Sequence, residues 1–133
     1  MIPVISEILQ YASIIAALFS LGLALLGLFS PARAMKLVGL MPHPNAPYAV
    51  SEVRATYGGV FFGVTAFALA IGEPIAYLAL ASCWLCAMLA RIGSMIADNV
   101  WVRHNWVSIM VEGGIGLAIA APHIGVAQQL AGL

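Results

Sequence analysis

Arg91 and Glu112 are the residues of this sequence whose types and positions most strongly suggest chemistry. Each lies inside a long apolar stretch, where a charge costs roughly 2.5–3.5 kcal/mol unless another group pairs with it. Arg91 lies six residues before the end of its stretch at Ala97, and Glu112 lies seven residues after Asn105, which precedes the next stretch. At about 1.5 Å per helical residue, both side chains lie roughly 9–10 Å below one boundary. We therefore predict that they form an ion pair.

Three further polar residues share a helix face with this predicted pair. Ser94 and Asp98 follow Arg91 at spacings of three and seven residues, and Ser108 precedes Glu112 by four. Such spacings place side chains on one side of an α-helix. We therefore expect Ser94, Asp98 and Ser108 to supply binding groups beside the ion pair.

A second polar segment, with Glu52, Arg54 and Tyr57, begins the apolar stretch that precedes that of Arg91. Glu52 and Arg54 are two residues apart and point in different directions, so we expect no ion pair between them. If these groups catalyse a reaction, acid–base chemistry is the natural class. Glu112 or Glu52 would be the base. Arg54 or Arg91 would hold an anionic or carbonyl oxygen, and Tyr57 would donate a proton, as in an isomerase or cyclase of a lipid-like substrate.

The composition requires that these side chains be positioned by membrane-spanning helices. Of 133 residues, 63% are hydrophobic and 8% are charged, whereas a soluble domain carries about 25% charged residues. Since a span needs about 20 apolar residues, we predict an all-α, integral membrane bundle of four transmembrane helices that uses the whole chain (1–133) as one domain. The spans are expected at about 8–29, 48–72, 75–97 and 106–126. Zero net charge and the lack of a basic tract argue against a nucleic-acid partner.

The connections predict a short helix and an orientation. Ser30 and Pro31 suit the N-cap and first position of a helix, and its mixed composition suits the membrane surface. Arg33 and Lys36 lie in the first connection and Arg103 in the third, while neither terminus carries a basic residue. The positive-inside rule then places these connections in the cytoplasm and both termini on the outer side.

Glycines predict close contacts between helices. Gly59 and Gly63 form a G-x-x-x-G pair, and Gly113, Gly114 and Gly116 follow Glu112; small residues let helix backbones approach. We expect a homo-oligomer, for which the Gly59/Gly63 stripe offers one packing surface, although the stripe could serve the bundle itself.

Cysteine and histidine do not predict a cofactor or a metal site. Cys83 and Cys86 form a C-x-x-C in the middle of a span, but no second pair exists to relay electrons, and cysteine is a common small apolar residue in buried helices. His43, His104 and His123 have no metal-ligand spacing. Redox and haem or metal functions are therefore minor alternatives.

Four segments together resemble a known family. They are Gly27–Pro31, Ser51–Gly59, Ala90–Asp98 and Val111–Gly113, and their order and spacing are similar to the bacterial membrane family catalogued as domain of unknown function 4345. The resemblance covers nearly the whole chain. It implies a four-helix membrane fold in a bacterial inner membrane and singles out the same polar residues, but it implies no activity.

Three functions remain open. The leading hypothesis is that a charged pocket in the cytoplasmic half binds a lipophilic small molecule with a polar head and acts on it if chemistry occurs. The second is proton-coupled transport by an oligomer, which would require access to the site from both sides. The third is a structural or accessory subunit in which the charges only specify helix packing.

Overall fold

The computed structural model describes residues 2–130 and 132, and these residues form helices joined by short connections. Seven α-helices, a π-helical segment and a 3₁₀ turn follow one another along the described chain. They are α1 (Ile2–Phe29), α2 (Pro31–Leu37), α3 (Ala49–Val53), the π segment (Arg54–Val60), α4 (Phe61–Ile71), α5 (Pro74–Ala97), α6 (Arg103–Ala120), the 3₁₀ turn (Ala121–His123) and α7 (Ile124–Leu130).

Four helical stretches in the described residues are long and apolar enough to cross a membrane: Val4–Phe29, Ala49–Ile71, Pro74–Ala97 and Arg103–Gln129. Large apolar side chains such as Phe29, Met110 and Leu117 are exposed on the outside of the bundle. A helix that buries its backbone bonds and exposes apolar side chains suits lipid rather than water. The predicted four-helix membrane bundle, with a short helix between the first two spans, is confirmed.

The helix bounds differ most from the prediction at the first and last spans. α1 begins at Ile2 rather than near Ile8, because Pro3 is tolerated in a first helical turn. The fourth span begins at Arg103, three residues earlier than predicted, and passes through a 3₁₀ turn around Pro122 before α7. Pro122 lacks the N–H that an α-helix would need there.

A tight turn joins α4 to α5 and makes them antiparallel neighbours. Gly72 ends α4 with a φ of 72°, a left-handed conformation that glycine adopts without a Cβ clash. Pro74 then occupies the first position of α5, where its missing N–H has no intrahelical partner to lose.

The buried core lies in the half of the bundle nearest this turn. Ala17, Ala68, Tyr77, Leu80 and Ile119 pack there and join α1, α4, α5 and α6. A smaller cluster, formed by Ala34, Met35 and Val53, packs α2 against α3 at the opposite end. The first cluster thus joins the four spans, whereas the second joins α2 and α3 to the end of α1.

Gly27 and Gly58 bring α1 and the π segment into close contact, which the Gly59/Gly63 pair does not do. A Cβ added to Gly58 would lie 2.7 Å from the Leu28 backbone nitrogen, and one added to Gly27 would lie 2.8 Å from the Gly58 nitrogen. By contrast, a Cβ on Gly63 would meet no atom within 4 Å. Gly59 and Gly63 therefore make no close contact with other described residues of the bundle, because the π segment widens the turn and shifts the helical phase. Their use as a packing surface between copies stays a prediction.

Two of the three glycines after Glu112 do make the predicted close contacts. A Cβ on Gly113 would lie 2.8 Å from the Met88 sulfur, and one on Gly116 would lie 2.7 Å from Leu85 Cγ. Gly114 faces open space. Gly113 and Gly116 therefore let α6 lie against α5 beside Glu112.

Candidate functional site

The predicted ion pair joins α5 to α6. Arg91 Nη2 lies 2.6 Å from Glu112 Oε1, and Arg91 Nε donates to Oε1 at 3.2 Å and to Oε2 at 3.1 Å. The Glu112 side chain is 10% exposed and that of Arg91 is 26% exposed. The guanidinium therefore holds both carboxylate oxygens in a charge-assisted arrangement.

This pair forms part of the wall of a cavity of about 640 Å³. One side of the cavity is made by α1 and the region around the π segment, the other by α5 and α6, and α2 lines its end. Most lining side chains are apolar. The polar ones, apart from Ser20 and Trp84 at the inner end, are Tyr57, Arg91, Ser94, His104, Asn105, Ser108 and Glu112.

The inner end of the cavity is closed by a hydrogen-bonded group from three helices. Trp84 Nε1 donates to Ser20 Oγ at 3.0 Å, and Ser20 Oγ lies 3.1 Å from Thr65 Oγ1. Phe61 packs on Trp84 with ring centroids 5.0 Å apart. Sequence reasoning missed Ser20, Thr65 and Trp84, because single polar residues in apolar helices give no spacing signal.

His104 and Asn105 line the opposite end, in the first turn of α6. The ring of His104 lies over Gly39, where an added Cβ would be 3.2 Å from His104 Nε2. Asn105 Nδ2 donates to the Val100 carbonyl at 3.0 Å, which fixes the turn before the helix. From its position in a polar connection, His104 was not expected in the site; the early start of α6 brings it there.

The predicted helix face with Ser94 and Asp98 also forms, but of these two residues Ser94 alone lines the cavity. Ser94 Oγ donates to Asp98 Oδ2 at 2.6 Å. Ser94 contributes to the cavity wall, whereas Asp98 is exposed at the end of α5 and lies outside that wall. The carboxylate of Asp98 therefore accepts a hydrogen bond from the Ser94 hydroxyl but does not itself line the cavity.

Glu52 and Arg54 are separated from the ion pair. Arg54 Nε donates to the Leu28 carbonyl at 3.0 Å, which satisfies one of the free carbonyls in the last turn of α1. Glu52 lines a second, smaller cavity of about 350 Å³ together with Thr56. The five predicted catalytic candidates thus do not form one cluster.

Tyr57 connects these two regions, because it lines both cavities. It lies within the π segment, a departure from α-helical geometry that is frequent at functional sites. Tyr57 and Glu112 are therefore the predicted acid–base residues that share the larger cavity, and Arg91 is the predicted oxygen-binding residue that does so.

The cysteine and histidine side chains of the described residues do not come together in a metal-binding group. Cys83 and Cys86 are both free thiols. His123 is buried and stacks on Tyr77 with ring centroids 5.1 Å apart, and its Nε2 has no partner among the described residues. Within the part of the chain that the structure describes, no three His, Cys, Asp or Glu side chains are arranged to hold a metal ion.

Comparison with known proteins places the chain in a family. The family model described as domain of unknown function (DUF4345) matches residues 8–122, which confirms the resemblance found from the sequence segments. No curated protein and no solved structure matches the chain.

Proposed function

The chain belongs to the DUF4345 family, and from this premise and the site geometry we propose that it binds a lipophilic small molecule with a polar head group in the larger cavity. One observation carries the proposal: an ion pair, Arg91–Glu112, lies in the wall of an otherwise mainly apolar cavity of about 640 Å³. Small-molecule sites have volumes of about 300–1,000 Å³ and combine apolar walls with a few convergent polar groups.

Exposed apolar side chains at the rim of the cavity support the proposal that the ligand enters from the membrane. Phe19 on α1 and Val107 and Val111 on α6 line the cavity. Their exposed fractions are 54%, 53% and 43%, so these apolar side chains also belong to the outer surface of two spans. These apolar edges would favour entry of a molecule dissolved in the bilayer over one dissolved in water.

The closed inner end favours binding over transport by a single copy. Ser20, Thr65 and Trp84 are joined by hydrogen bonds there, and the buried cluster around Leu80 and Ile119 fills the bundle beyond them. A transporter would have to break this packing to reach the other side. Acid–base chemistry on the bound molecule would use Tyr57 and Glu112, since both line the cavity.

We further propose that the cavity lies in the cytoplasmic half of a bacterial inner membrane, with both termini outside. Arg33 and Lys36 on α2 and Arg103 at the start of α6 are exposed at the cavity end of the bundle. Basic residues concentrate on the cytoplasmic side. In a variant without Cys83 and Cys86, Gln129→Cys should react with an impermeant maleimide on intact cells, whereas Lys36→Cys should react only after lysis. The reverse pattern would contradict this orientation.

Native mass spectrometry of the protein released from its own membranes in mild detergent tests the binding proposal. We expect a bound lipophilic molecule in stoichiometric amount. Ala87→Phe should remove it by filling the cavity, because Ala87 lines the wall. Ala79→Phe on the same helix is the matched control, since Ala79 is exposed and lies outside the cavity.

A wild-type protein without any bound molecule, or one whose ligand survives Ala87→Phe, would contradict the proposal. The same spectra report the number of chains in the particle. A single chain would contradict the predicted homo-oligomer without affecting the binding proposal.

A further inference from the structure

We infer that the polar end of the ligand is an uncharged hydrogen-bond acceptor, such as an ester, ketone or aldehyde carbonyl, and not a phosphate, sulfate, carboxylate or ammonium group. This inference rests on the proposed function and specifies the class of molecule that the larger cavity takes. It follows from the charges and the hydrogen-bonding capacity of the cavity wall.

The formal charges of the side chains in the cavity wall neutralise each other. Among the residues that line the cavity, Arg91 and Glu112 carry the formal charges, and they pair at 2.6 Å. An ionic head group would be a third charge without a counterion. Placing such a charge in a mainly apolar site within membrane-spanning helices is costly unless it is paired.

Most of the hydrogen-bonding capacity that remains on the pair is that of a donor, because three of the roughly four acceptor positions of the carboxylate are already used. Both oxygens of Glu112 accept hydrogen bonds from Arg91. These bonds use Nε and Nη2 of the guanidinium, whose five N–H groups all donate. Within the described residues, Nη1 of Arg91 makes no hydrogen bond, so it is left to donate to a ligand oxygen.

Two hydroxyl groups add to this donor capacity. Tyr57 and Ser108 line the cavity, and neither hydroxyl has a hydrogen-bond partner in the part of the chain that the structure describes. Ser94 already donates to Asp98, and Asn105 already donates to a backbone carbonyl. A carbonyl oxygen can accept hydrogen bonds from Arg91, Tyr57 and Ser108, whereas a donating head group could bond the two hydroxyls but not the guanidinium, which has no acceptor.

The fluorescence of Trp84 can report ligand binding directly, because this side chain lines the cavity. Replacing the other two tryptophans, Trp101→Phe and Trp106→Phe, leaves Trp84 as the one tryptophan of the chain. Three probes with the same brominated alkyl chain, ending in a methyl ester, a sulfate or a trimethylammonium group, are then titrated in neutral detergent. Quenching that Ala87→Phe abolishes reports binding in the cavity.

We expect the ester probe to bind at least about tenfold more tightly than either ionic probe, which is about 1.4 kcal/mol. In Glu112→Gln the guanidinium loses its counterion, so the sulfate probe should gain about tenfold or more in affinity. Glu73→Gln is the matched control, because Glu73 is exposed at the α4–α5 turn. Ser108→Ala, which changes no charge, should weaken the ester probe severalfold and provides the test if Glu112→Gln does not fold.

The outcomes separate the inference from the proposed function. Equal binding of the three probes, or tighter binding of an ionic probe to the wild type, would overturn the head-group inference and leave the cavity as a binding site. An unchanged affinity of the sulfate probe for folded Glu112→Gln would also overturn it. If none of the probes quenches Trp84 in the cavity, the proposed function fails as well.

Discussion

Arg91 Nε donates to both carboxylate oxygens of Glu112, and Arg91 Nη2 makes a third bond to the same carboxylate. The two residues come from adjacent spans and lie in the wall of the larger cavity. Because Glu112 is nearly buried, each side chain neutralises a charge that the bundle could not otherwise accommodate.

Glu112→Ala should lower the free energy of unfolding by roughly 3–5 kcal/mol, because it leaves the guanidinium of Arg91 without its counterion. Glu112→Gln should cost less, since the amide oxygen still accepts a hydrogen bond. Thermal unfolding in detergent measures both effects.

The exchanged pair, Arg91→Glu with Glu112→Arg, tests whether pairing alone matters. It should recover much of the stability lost in either single variant. It should not restore ligand binding, because the guanidinium with its free N–H donors would then project from α6 instead of α5. An unchanged melting temperature in Glu112→Ala and Glu112→Gln would contradict a stabilising pair. Recovery of binding in the exchanged variant would favour a role in helix packing alone.

Gly58→Ala should destabilise the bundle by about 1–3 kcal/mol, the usual cost of overpacking. The added Cβ would lie 2.7 Å from the backbone nitrogen of Leu28, and a backbone atom cannot move aside as a flexible side chain can. Chemical or thermal unfolding in detergent measures the loss. Gly63→Ala is the control and should be neutral or slightly stabilising, because its Cβ would meet open space and alanine favours the helix. Equal effects of the two substitutions would contradict the Gly27–Gly58 contact.

Ser20→Ala should lower stability and change the fluorescence of Trp84. Ser20 bonds both Trp84 and Thr65, and interhelical hydrogen bonds in membranes contribute about 0.6 kcal/mol on average and up to about 1.7 kcal/mol. A shift of the Trp84 emission maximum, in the variant that keeps only this tryptophan, reports the lost bond. Ser82→Ala, on the helix that carries Trp84, removes only a local bond to the Ala79 carbonyl and should leave the emission unchanged.

Arg54→Met should lower stability by about 1 kcal/mol and leave ligand retention unchanged. Its guanidinium satisfies the Leu28 carbonyl, a bond of ordinary strength, and Arg54 does not line the larger cavity. Thermal unfolding and native mass spectrometry of the same preparation measure the two effects. Arg33→Met, at an exposed position of α2, provides the control. Loss of the ligand from folded Arg54→Met would contradict this prediction and show that Arg54 contributes to ligand binding.

The sequence by itself determined the membrane fold and the central ion pair. Apolar runs of membrane length specify the spans because each helix satisfies its own backbone hydrogen bonds. Arg91 and Glu112 could be paired from their depths alone, since two charges at one level of an apolar bundle have few other partners. The resemblance segments agree with the family match over residues 8–122.

Only the tertiary structure decided which of the other polar residues meet. The π segment changes the helical phase after Val53, so it moves Gly58 rather than Gly59 and Gly63 into the contact with α1. It also leaves Arg54 bonded to Leu28 instead of to the ion pair. Such a change of phase is not encoded in residue spacing, because it depends on how closely the backbones of two helices can pack.

The cavity could not be predicted from the sequence either. Ser20, Trp84 and His104 lie far apart along the chain, and each belongs to a different helix. They line one space because the four spans are held together at the Leu80 cluster and enclose the larger cavity beyond it. The volume between packed helices depends on the summed shapes of side chains from every span, which no local pattern of residues contains.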